Sequence, residues 1–294
     1  MTQAEQQTAV VTGASAGIGK STARMLAEKG WRVIGIGRDA ARTAAAEAEI
    51  RAAVPGASID FLRGDFCEMR EVRRIAAEVA ALTPRLDVLI NNAGGVRDQL
   101  YITGEGLEAT FAANHLAAFL FTRELLPHLE ATAAITPPGT VRVIAVSSAG
   151  HQMCQGINWD DLTIFGGDTL PGGSAVGAYV QAKLANILFT RELARRAAAS
   201  GIVAQSMHPG TVRSNFASHG NADMQSYMEA NATDLPDKPA ETLAWLATSP
   251  EARRNPGRYF HNMQAIEPAP QAQDDAAALR LWQISEKLLE AILK

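Results

Sequence analysis

A tyrosine and a lysine stand four residues apart in the stretch Ala178–Phe189, which reads AYVQAKLANILF. If this stretch is helical, the Tyr179 phenol and the Lys183 ammonium lie on one face, one turn apart. A free phenol has a pKa near ~10, and a neighbouring cation favours the charged phenolate. We therefore predict that Tyr179 exchanges a proton with a substrate oxygen, with its pKa moved closer to neutrality. The spacing alone is weak evidence, because the same pair occurs by chance on many helices.

The chain begins with a predicted strand, a glycine-rich turn and a predicted helix. Thr8–Thr12 is a short β-branched run, and Lys20–Lys29 is predicted to be a helix that ends at Gly30. Between them lies TGASAGIG. Its glycines allow a tight turn and a close approach of the backbone to a pyrophosphate, which would face the free amides at the helix start. Because it lies between a strand and a helix, the turn is predicted to bind a dinucleotide.

The residues after the second strand bear on which dinucleotide binds. An acid at the end of Arg32–Gly37 would bind the ribose hydroxyls of NAD(H), but this sequence has Gly37 and then Arg38. A guanidinium suits a 2′-phosphate, so we predict NADP(H) in preference to NAD(H). Asp39 is predicted to cap the helix Ala40–Ala53. The alternative is that Arg38 is a solvated loop cation.

Strands continue to alternate with helices after this point. Ala57–Arg63 and Leu86–Ile90 are predicted strands, and Glu68–Leu82 between them is a predicted helix. Such alternation indicates a parallel sheet covered by helices on both faces, with ligands beyond the carboxyl ends of the strands. The residues that follow those ends, and that we expect near a ligand, include Asp65, Asn92 and Gly94.

Composition excludes several classes of protein. The net charge of −4 gives no electrostatic reason to expect a nucleic-acid partner. Cys67 and Cys154 are far apart and lack metal-ligand spacing, so neither a disulfide framework nor a metal site is predicted. The sequence shows no export signal and no apolar run of about 18 residues. We therefore expect a cytoplasmic protein without a membrane anchor.

Taken together, these motifs resemble the short-chain dehydrogenase/reductase family. TGASAGIG is similar to its cofactor loop, INNAG to the end of its fourth strand, VIAVSSAGH to its serine strand, and HPGTV to the loop after its sixth strand. The stretches NHLAAFLFTRELLP, INWDDL, AYVQAKLANILFTRELARR and EPAPQAQD resemble the retinol dehydrogenase-like branch, which is typically linked to NADP(H).

The resemblance implies a role for each matching residue. Tyr179 would pass a proton, Ser148 would hold the substrate oxygen, Lys183 would bind the nicotinamide ribose and lower the pKa of Tyr179, and Asn114 would hold a water. Ser147 is a neighbour that could be mistaken for the functional serine. The catalytic set is thus Asn114, Ser148, Tyr179 and Lys183, with no metal. The cofactor-binding set is Gly13, Ser15, Gly17, Ile18, Gly19, Arg38, Asp65, Phe66, Asn92, Ala93, Gly94, Tyr179, Lys183, Pro209, Gly210 and Val212.

Two segments are expected to form the walls of the substrate pocket. One is the insertion between Ser148 and Tyr179, which contains INWDDL and FGGDTLPGGSAVG. The other is Thr211–Asp237, the substrate loop of about residues 211–237. Candidate pocket residues are His151 and Met153 after the serine, although His151 is more often structural, and Phe216, Met224, Tyr227 and Met228 in the loop, which could equally be packing residues.

The C-terminal part is predicted to complete the same domain. Pro239–Thr248 is a predicted helix, Gly257–His261 a final strand, and Pro268–Gln273 an irregular linker. Asp274 or Asp275 is predicted to cap a tail helix of about residues 274–293, which packs on its own subunit or on a partner in a possible homo-oligomer. Its expected apolar residues are Leu279, Trp282, Leu288, Leu289 and Ile292.

We thus predict one α/β domain over residues 1–294, of the Rossmann type, with a doubly wound parallel sheet of about seven strands. By resemblance their order is 3-2-1-4-5-6-7. The leading hypothesis is an NADP(H)-dependent oxidoreductase that acts on a carbonyl or alcohol of a mostly apolar small molecule. Two alternatives stay open: a ring double-bond reductase of the protochlorophyllide reductase-like type, and a non-catalytic NADP(H)-binding sensor.

Overall fold

The computed structural model describes residues 6–162 and 173–294 of the chain. The strands in these ranges are β1 Thr8–Thr12, β2 Arg32–Gly37, β3 Ile59–Arg63, β4 Val88–Asn91, β5 Arg142–Val146, β6 Val203–Met207, β7 Tyr259–His261 and β8 Gln264–Ile266. They form one sheet in the order β3-β2-β1-β4-β5-β6-β7-β8. Neighbours are parallel from β3 to β7, and β8 runs antiparallel to β7.

The predicted strand order is confirmed, but the sheet has one more strand than the seven expected. The strand that was not predicted, β8, pairs with β7 through a tight hairpin at Asn262 and Met263. Both turn residues have positive φ angles, 48° and 61°. Two-residue hairpin turns with positive φ angles usually contain a glycine, and this turn has none. The sequence therefore carries little signal for the eighth strand.

Helices cover both faces of the sheet. They are α1 Gly17–Glu28, α2 Ala40–Ala53, α3 Met69–Leu82, α4 Ala109–Phe111, α5 Ala117–Ala134, α6 Gly173–Arg196, α7 Ala222–Asn231, α8 Asp237–Thr248 and α9 Asp275–Leu293, with a π-helical turn Ala112–Leu116 between α4 and α5. Helix α1 begins earlier than the predicted Lys20, because glycines that disfavour a helix interior are tolerated in its first turn. Asp39 caps α2 as predicted, accepting from the Arg42 backbone N–H at 2.9 Å.

Adjacent residues of the central strands enter different cores. Val10 packs with the cluster on the side of α3 and α5, whereas its neighbour Val11 packs on the side of α1 and α8. The same division separates Leu89 from Ile90. Strands that are apolar on both faces are typical of parallel sheets enclosed by helices, so the predicted architecture is confirmed.

The tail helix α9 packs against its own chain. Trp282 is buried, with its ring centroid 4.7 Å from that of Phe119 and 6.0 Å from that of Phe189. Leu289 is also buried, but Leu279 is 38% exposed, so its predicted place on the apolar face is wrong. The prediction that Pro268–Gln273 is irregular is also partly wrong, because Pro270–Gln273 forms a turn of 3₁₀ helix.

The N-cap of α9 provides a test of how firmly this helix is held. The Asp274 carboxylate accepts from the backbone N–H groups of Ala276 and Ala277 at 2.9 and 3.0 Å. We expect Asp274→Ala to lower the free energy of unfolding by about 1 kcal/mol, measured by urea denaturation. Asp274→Asn keeps an acceptor in the same place and should be nearly neutral. Equal losses in both variants would contradict the capping role.

Candidate functional site

The glycine-rich turn closes around the carboxyl end of β1. Gly13 and Gly17 have φ angles of 70° and 52°, which disfavour residues with side chains. Gly19 lies so close to the strand that a Cβ there would be 2.3 Å from the Gly13 carbonyl oxygen. In the described structure Ala16 gives the first amides of α1 no side-chain cap, and the first turn has no acidic residue. These amides therefore face the cleft as donors for an anion.

Asn92 ties this turn to the neighbouring strand. Its side-chain Nδ2 donates to the Thr12 carbonyl oxygen at 2.9 Å, and its backbone N–H donates to the Thr12 hydroxyl at 3.0 Å. A Cβ at Gly13 would come within 2.9 Å of the same Asn92 Nδ2. The position of the glycine turn thus depends on the end of β4 as well as on β1.

A cleft of about 310 Å³ runs along the carboxyl edge of the sheet. It brings together most of the residues that the sequence predicts to bind cofactor or act on substrate. Gly19, Ser148, Gly210 and Val212 do not line it; Gly19 serves the packing described above. The predicted residues that do line it are Gly13, Ser15, Gly17, Ile18, Arg38, Asp65, Phe66, Asn92, Ala93, Gly94, Asn114, Tyr179, Lys183 and Pro209.

One end of the cleft is basic. Arg38 follows β2 and is exposed, and Arg42 lies one turn further along in α2. Both line the cleft, as does Gly37, where a Cβ would meet the Ser15 Cβ at 2.8 Å. Sequence reasoning missed Arg42, although the correctly predicted start of α2 would have placed it beside Arg38. Two guanidinium groups at this end suit a phosphate.

The other end of the cleft carries the tyrosine and lysine of α6. Tyr179 is 8% exposed and Lys183 4% exposed. The Lys183 ammonium donates to the Val146 carbonyl oxygen at 3.1 Å and lies 5.6 Å from the centre of the Tyr179 ring. Within the described residues no carboxylate forms a salt bridge with Lys183. The pair is therefore close together, and little water reaches either group.

Burial shifts the pKa values of Tyr179 and Lys183 in opposite directions, and in both cases it favours the neutral form of the side chain. It raises the pKa of Tyr179 to about 12, and a hydrogen bond with the Ser148 side chain lowers it only in part. Burial also lowers the pKa of Lys183 to about 8. The predicted shift of the Tyr179 pKa toward neutrality is therefore wrong for these residues by themselves, because loss of hydration outweighs the hydrogen bond with Ser148. Tyr179 holds its proton at neutral pH.

The two neighbouring serines have different partners. The Ser147 hydroxyl is buried and donates to the Lys183 carbonyl oxygen at 2.7 Å, which anchors α6 to the end of β5. The Ser148 hydroxyl instead interacts with the phenol of Tyr179 and accepts from the Gly150 backbone N–H at 3.0 Å. Only Ser148 thus presents its hydroxyl to the tyrosine.

Asn114 lies in the π-helical turn between α4 and α5. Its Nδ2 donates to the Thr110 and Gly95 carbonyl oxygens at 2.8 and 3.0 Å, and its Oδ1 accepts from the Gly95 N–H at 3.1 Å. A Cβ at Gly94 would lie 2.3 Å from Asn114 Oδ1 and 3.3 Å from Lys183 Nζ. The glycine therefore lets the asparagine and the lysine approach one backbone segment. The water-holding role of Asn114 stays a prediction.

Only part of the Thr211–Asp237 segment reaches the cleft. Phe216 lines it and packs on Tyr179, with ring centres 5.2 Å apart. Met224 packs against the same hydrophobic cluster as Phe216. Tyr227 is 56% exposed, and neither Tyr227 nor Met228 lines the cleft. Of the two alternatives for these residues, a place in the apolar wall is not seen for Tyr227, which α7 turns outward, or for Met228, which is half-buried away from the cleft. The loop residues that reach the cleft without having been predicted are Ser214, Ser218 and His219.

The residues after the serine do not form a pocket wall either. His151 is fully buried outside the lining, and Met153 is 41% exposed. Residues 163–172 of the glycine-rich insertion lie outside the described residues. Two cleft residues that sequence reasoning missed, Arg97 and Cys67, are joined by a hydrogen bond of 3.0 Å from the guanidinium to the sulfur. They lie in irregular segments, where periodicity gives no guide.

Metal and membrane features are absent from the described ranges. No group of three or more histidine, cysteine, aspartate or glutamate side chains there could hold a metal ion. Both cysteines are free thiols. Of the helices in these ranges, none combines the length and the apolar character needed to cross a bilayer.

The sheet order and the cleft at its carboxyl edge define a nucleotide-binding α/β protein of the Rossmann type. Residues 7–157 match the model of the short chain dehydrogenase family. The chain is 33% identical to retinol dehydrogenase 13 of Homo sapiens, covering 96% of this chain and 84% of the relative, and 36% identical to retinol dehydrogenase 14 of Mus musculus, covering 98% and 87%. The chain therefore belongs to the short-chain dehydrogenase family and is an oxidoreductase.

Solved structures share the fold. An uncharacterised protein from Mycobacterium Paratuberculosis matches with a TM-score of 0.68 and 31% identity, covering 97% of this chain and 94% of that one. The Pseudomonas aeruginosa RhlG/NADP active-site complex matches with a TM-score of 0.68 and 26% identity, covering 86% and 93%. Both similarities extend well beyond the glycine turn.

The buried amine gives a pH-dependent test. Below pH 8 Lys183 is charged in the folded and unfolded states, so folding bears the full cost of burying that charge. Above its ordinary pKa of 10.5 the amine is neutral in both states and this cost disappears. The stability of wild type relative to Lys183→Met should therefore rise between pH 8 and 10.5, measured by urea unfolding. The exposed Lys29→Met is the control and should show no such trend; a trend absent from both would contradict the desolvation of Lys183.

Proposed function

We propose that this protein is an NADP(H)-dependent oxidoreductase that transfers a hydride between nicotinamide and the carbonyl or alcohol group of a mostly apolar small molecule. The observation that carries the proposal is that Tyr179, which is hydrogen-bonded to the Ser148 side chain, and Lys183 line one end of a cleft whose other end is basic. A proton donor and a nucleotide cradle at the two ends of one cleft suit this chemistry.

The residues of the cleft fit a dinucleotide. The uncapped amides of α1 would hold a pyrophosphate, and Asp65, Phe66 and Ala93 line the same cleft. Lys183 lies where it would donate to ribose hydroxyls once an acceptor other than Val146 is present. When bound, the nicotinamide supplies or accepts the hydride, which no side chain of this cleft can do.

The proton chemistry belongs to Tyr179. In carbonyl reduction it donates its phenolic proton to the developing alkoxide, and the burial that raises its pKa keeps that proton in place at neutral pH. Ser148 holds the same oxygen by a hydrogen bond. The charge of Lys183 then stabilises the phenolate that remains, since the ammonium lies one turn away on the same helix.

Two observations support NADP(H) over NAD(H). The strand β2 ends in glycine rather than an acid, and Arg38 and Arg42 both line the cleft beyond it. Charge-assisted bonds from guanidinium groups suit a 2′-phosphate.

The nature of the substrate is argued from the wall beside Tyr179. Phe216 covers the phenol, and Val96 lies across the same part of the cleft. An apolar wall favours an apolar substrate. Relatives named retinol dehydrogenases are consistent with this, since retinol is an alcohol with a long hydrocarbon chain. We propose residues 211–237 as the substrate loop and residues 1–294 as one domain.

The proton role is tested by Tyr179→Phe. With NADPH and a panel of aldehydes, ketones and conjugated ring substrates, we expect kcat to fall by about 10²–10⁴-fold while NADPH binding persists. Binding is measured separately, by nucleotide fluorescence titration. Turnover that survives intact in the variant would overturn the assignment. Turnover with the ring substrates alone would favour double-bond reduction, and NADPH binding without any turnover would favour a sensor.

The cofactor preference is tested at the basic end. Loss of a charge-assisted contact costs about 1.5–3 kcal/mol, so Arg38→Ala should weaken NADPH binding by roughly 10- to 100-fold and leave NADH binding little changed. Arg254→Ala, an exposed arginine that does not line the cleft, is the control. Equal losses for both nucleotides in Arg38→Ala would contradict contact with a 2′-phosphate.

A further inference from the structure

His151 is a buried imidazole directly behind the serine that faces Tyr179. It lies in the 3₁₀ helix Ala149–Met153, whose N-cap is Ser148. Its Nδ1 lies 2.7 Å from the Ser148 carbonyl oxygen, and its Nε2 lies 3.1 Å from the Ala269 backbone nitrogen. The side chain is fully buried and belongs neither to the cleft lining nor to the proton-transfer groups described above.

These two contacts select one form of the imidazole ring. The Ala269 nitrogen is a donor, so Nε2 must be the unprotonated acceptor. The Ser148 carbonyl oxygen is an acceptor, so Nδ1 must carry the hydrogen, and the Tyr259 hydroxyl oxygen, 3.5 Å from Nδ1, can only accept from it. The ring is therefore neutral, with its proton on Nδ1. Nδ1 therefore donates to the Ser148 carbonyl oxygen, and Nε2 accepts from the Ala269 backbone N–H.

The contact of His151 on the side away from Ser148 is with the segment Pro268–Gln273, which leads into α9. Besides the Ala269 contact, the Gln271 side-chain amide donates to the Cys154 carbonyl oxygen at the end of the same 3₁₀ turn. The segment Pro268–Gln273 thus holds the turn at both its middle and its end. The ring of Tyr259 stands edge-on to His151 with ring centres 5.2 Å apart, which leaves the imidazole little room to rotate.

The turn that His151 holds is in contact with the helix carrying Tyr179. A Cβ on Gly150 would lie 3.5 Å from Val180 Cγ1 and 3.8 Å from Tyr179 Cε1. The Ser148 hydroxyl accepts from the Gly150 N–H, so its direction depends on the path of this turn. The carbonyl oxygen of Ser148 accepts from the His151 side chain and from the His151 backbone N–H, the latter at 3.1 Å. His151 therefore holds the main chain of the residue whose hydroxyl faces Tyr179.

We propose that His151 is a positioning residue, whose Nδ1–H donates to the Ser148 carbonyl oxygen and so fixes the serine hydroxyl at the phenol of Tyr179. The proposal rests on the proposed function for its kinetic consequences. The contact of Nδ1 with Ser148 is the one that aims the hydroxyl. The contact of Nε2 with Ala269 keeps the ring proton on Nδ1, which makes that nitrogen the donor to Ser148.

Two substitutions separate these contacts. His151→Asn places an amide donor near the position of Nδ1 and loses the Ala269 contact, whereas His151→Gln places an acceptor near Nε2 and loses the donor to Ser148. We expect His151→Gln to lower kcat by at least about tenfold with little change in KM for NADPH, because a small displacement of an orienting group is costly. His151→Asn should recover most of kcat although it loses stability. If kcat in the two variants follows their stability instead, the proposal is wrong.

A double-mutant cycle tests whether the histidine acts through the serine. In the Ser148→Ala background, the hydroxyl that His151 aims is absent, so His151→Gln should cause no further loss of kcat. A loss as large as in the wild-type background would mean that His151 acts by another route, and it would overturn the proposal. Urea unfolding of each variant confirms that the proteins compared are folded.

A readout that needs no turnover keeps this proposal separate from the proposed function. With fluorotyrosine in place of tyrosine, the fluorine resonance of position 179, assigned with Tyr179→Phe, reports the phenol pKa. Because the Ser148 hydrogen bond favours the phenolate, that pKa should rise equally in Ser148→Ala and His151→Gln and stay near wild type in His151→Asn. An unchanged pKa in His151→Gln would overturn the positioning role. Wild type that turns over no substrate while this pattern holds would overturn the proposed function alone.

Discussion

Burial of an amine and a phenol on one helix turn is the constraint on which the rest of this site depends. Lys183 has a backbone carbonyl as its hydrogen-bond partner, and burial opposes its charge. A group in that situation gains from any polar partner brought into the cleft, because such a partner restores part of the lost hydration. A polyhydroxyl or anionic ligand bound beside Lys183 would offset part of the cost of burying the charge. Such a ligand would therefore raise the folding stability of the protein.

The two halves of the cleft act by different means. At the glycine-turn end the available donors are mainly backbone amides, and Gly13 and Gly19 allow that backbone to pack closely. At the other end the polar groups are side chains of α6, with Ser148 after the end of β5 beside them. Between the two ends, the Asn92 side chain joins the end of β4 to the glycine turn by a hydrogen bond. The absence of a side chain at Gly94 lets Asn114 and Lys183 lie close to the backbone of the same segment. A short run after β4 therefore serves both halves.

The features that local physics dictates could be predicted from the sequence. The strands β1 and β2 and the capped helix α2 match their predicted limits, since β-branched runs, glycines and an Asp N-cap act over a few residues. The motif positions around Tyr179 and the strand order came from family resemblance. What failed depends on distant packing: the exposure of Leu279, the hairpin to β8 without a glycine, and the pKa of Tyr179, which burial dominates. The outward direction of Tyr227 likewise follows from how α7 lies on the molecule.

The brace behind Ser148 comes from a part of the chain more than one hundred positions later, at Ala269 and Gln271. Chains leave the ribosome from their N-terminus, and early regions begin to fold during synthesis. A single domain folds largely as a unit, so the turn behind Ser148 is complete only once the segment that contains Ala269 and Gln271 has been made. Removal of that late segment would therefore reach the proton-transfer end of the cleft, although the segment itself does not line the cleft.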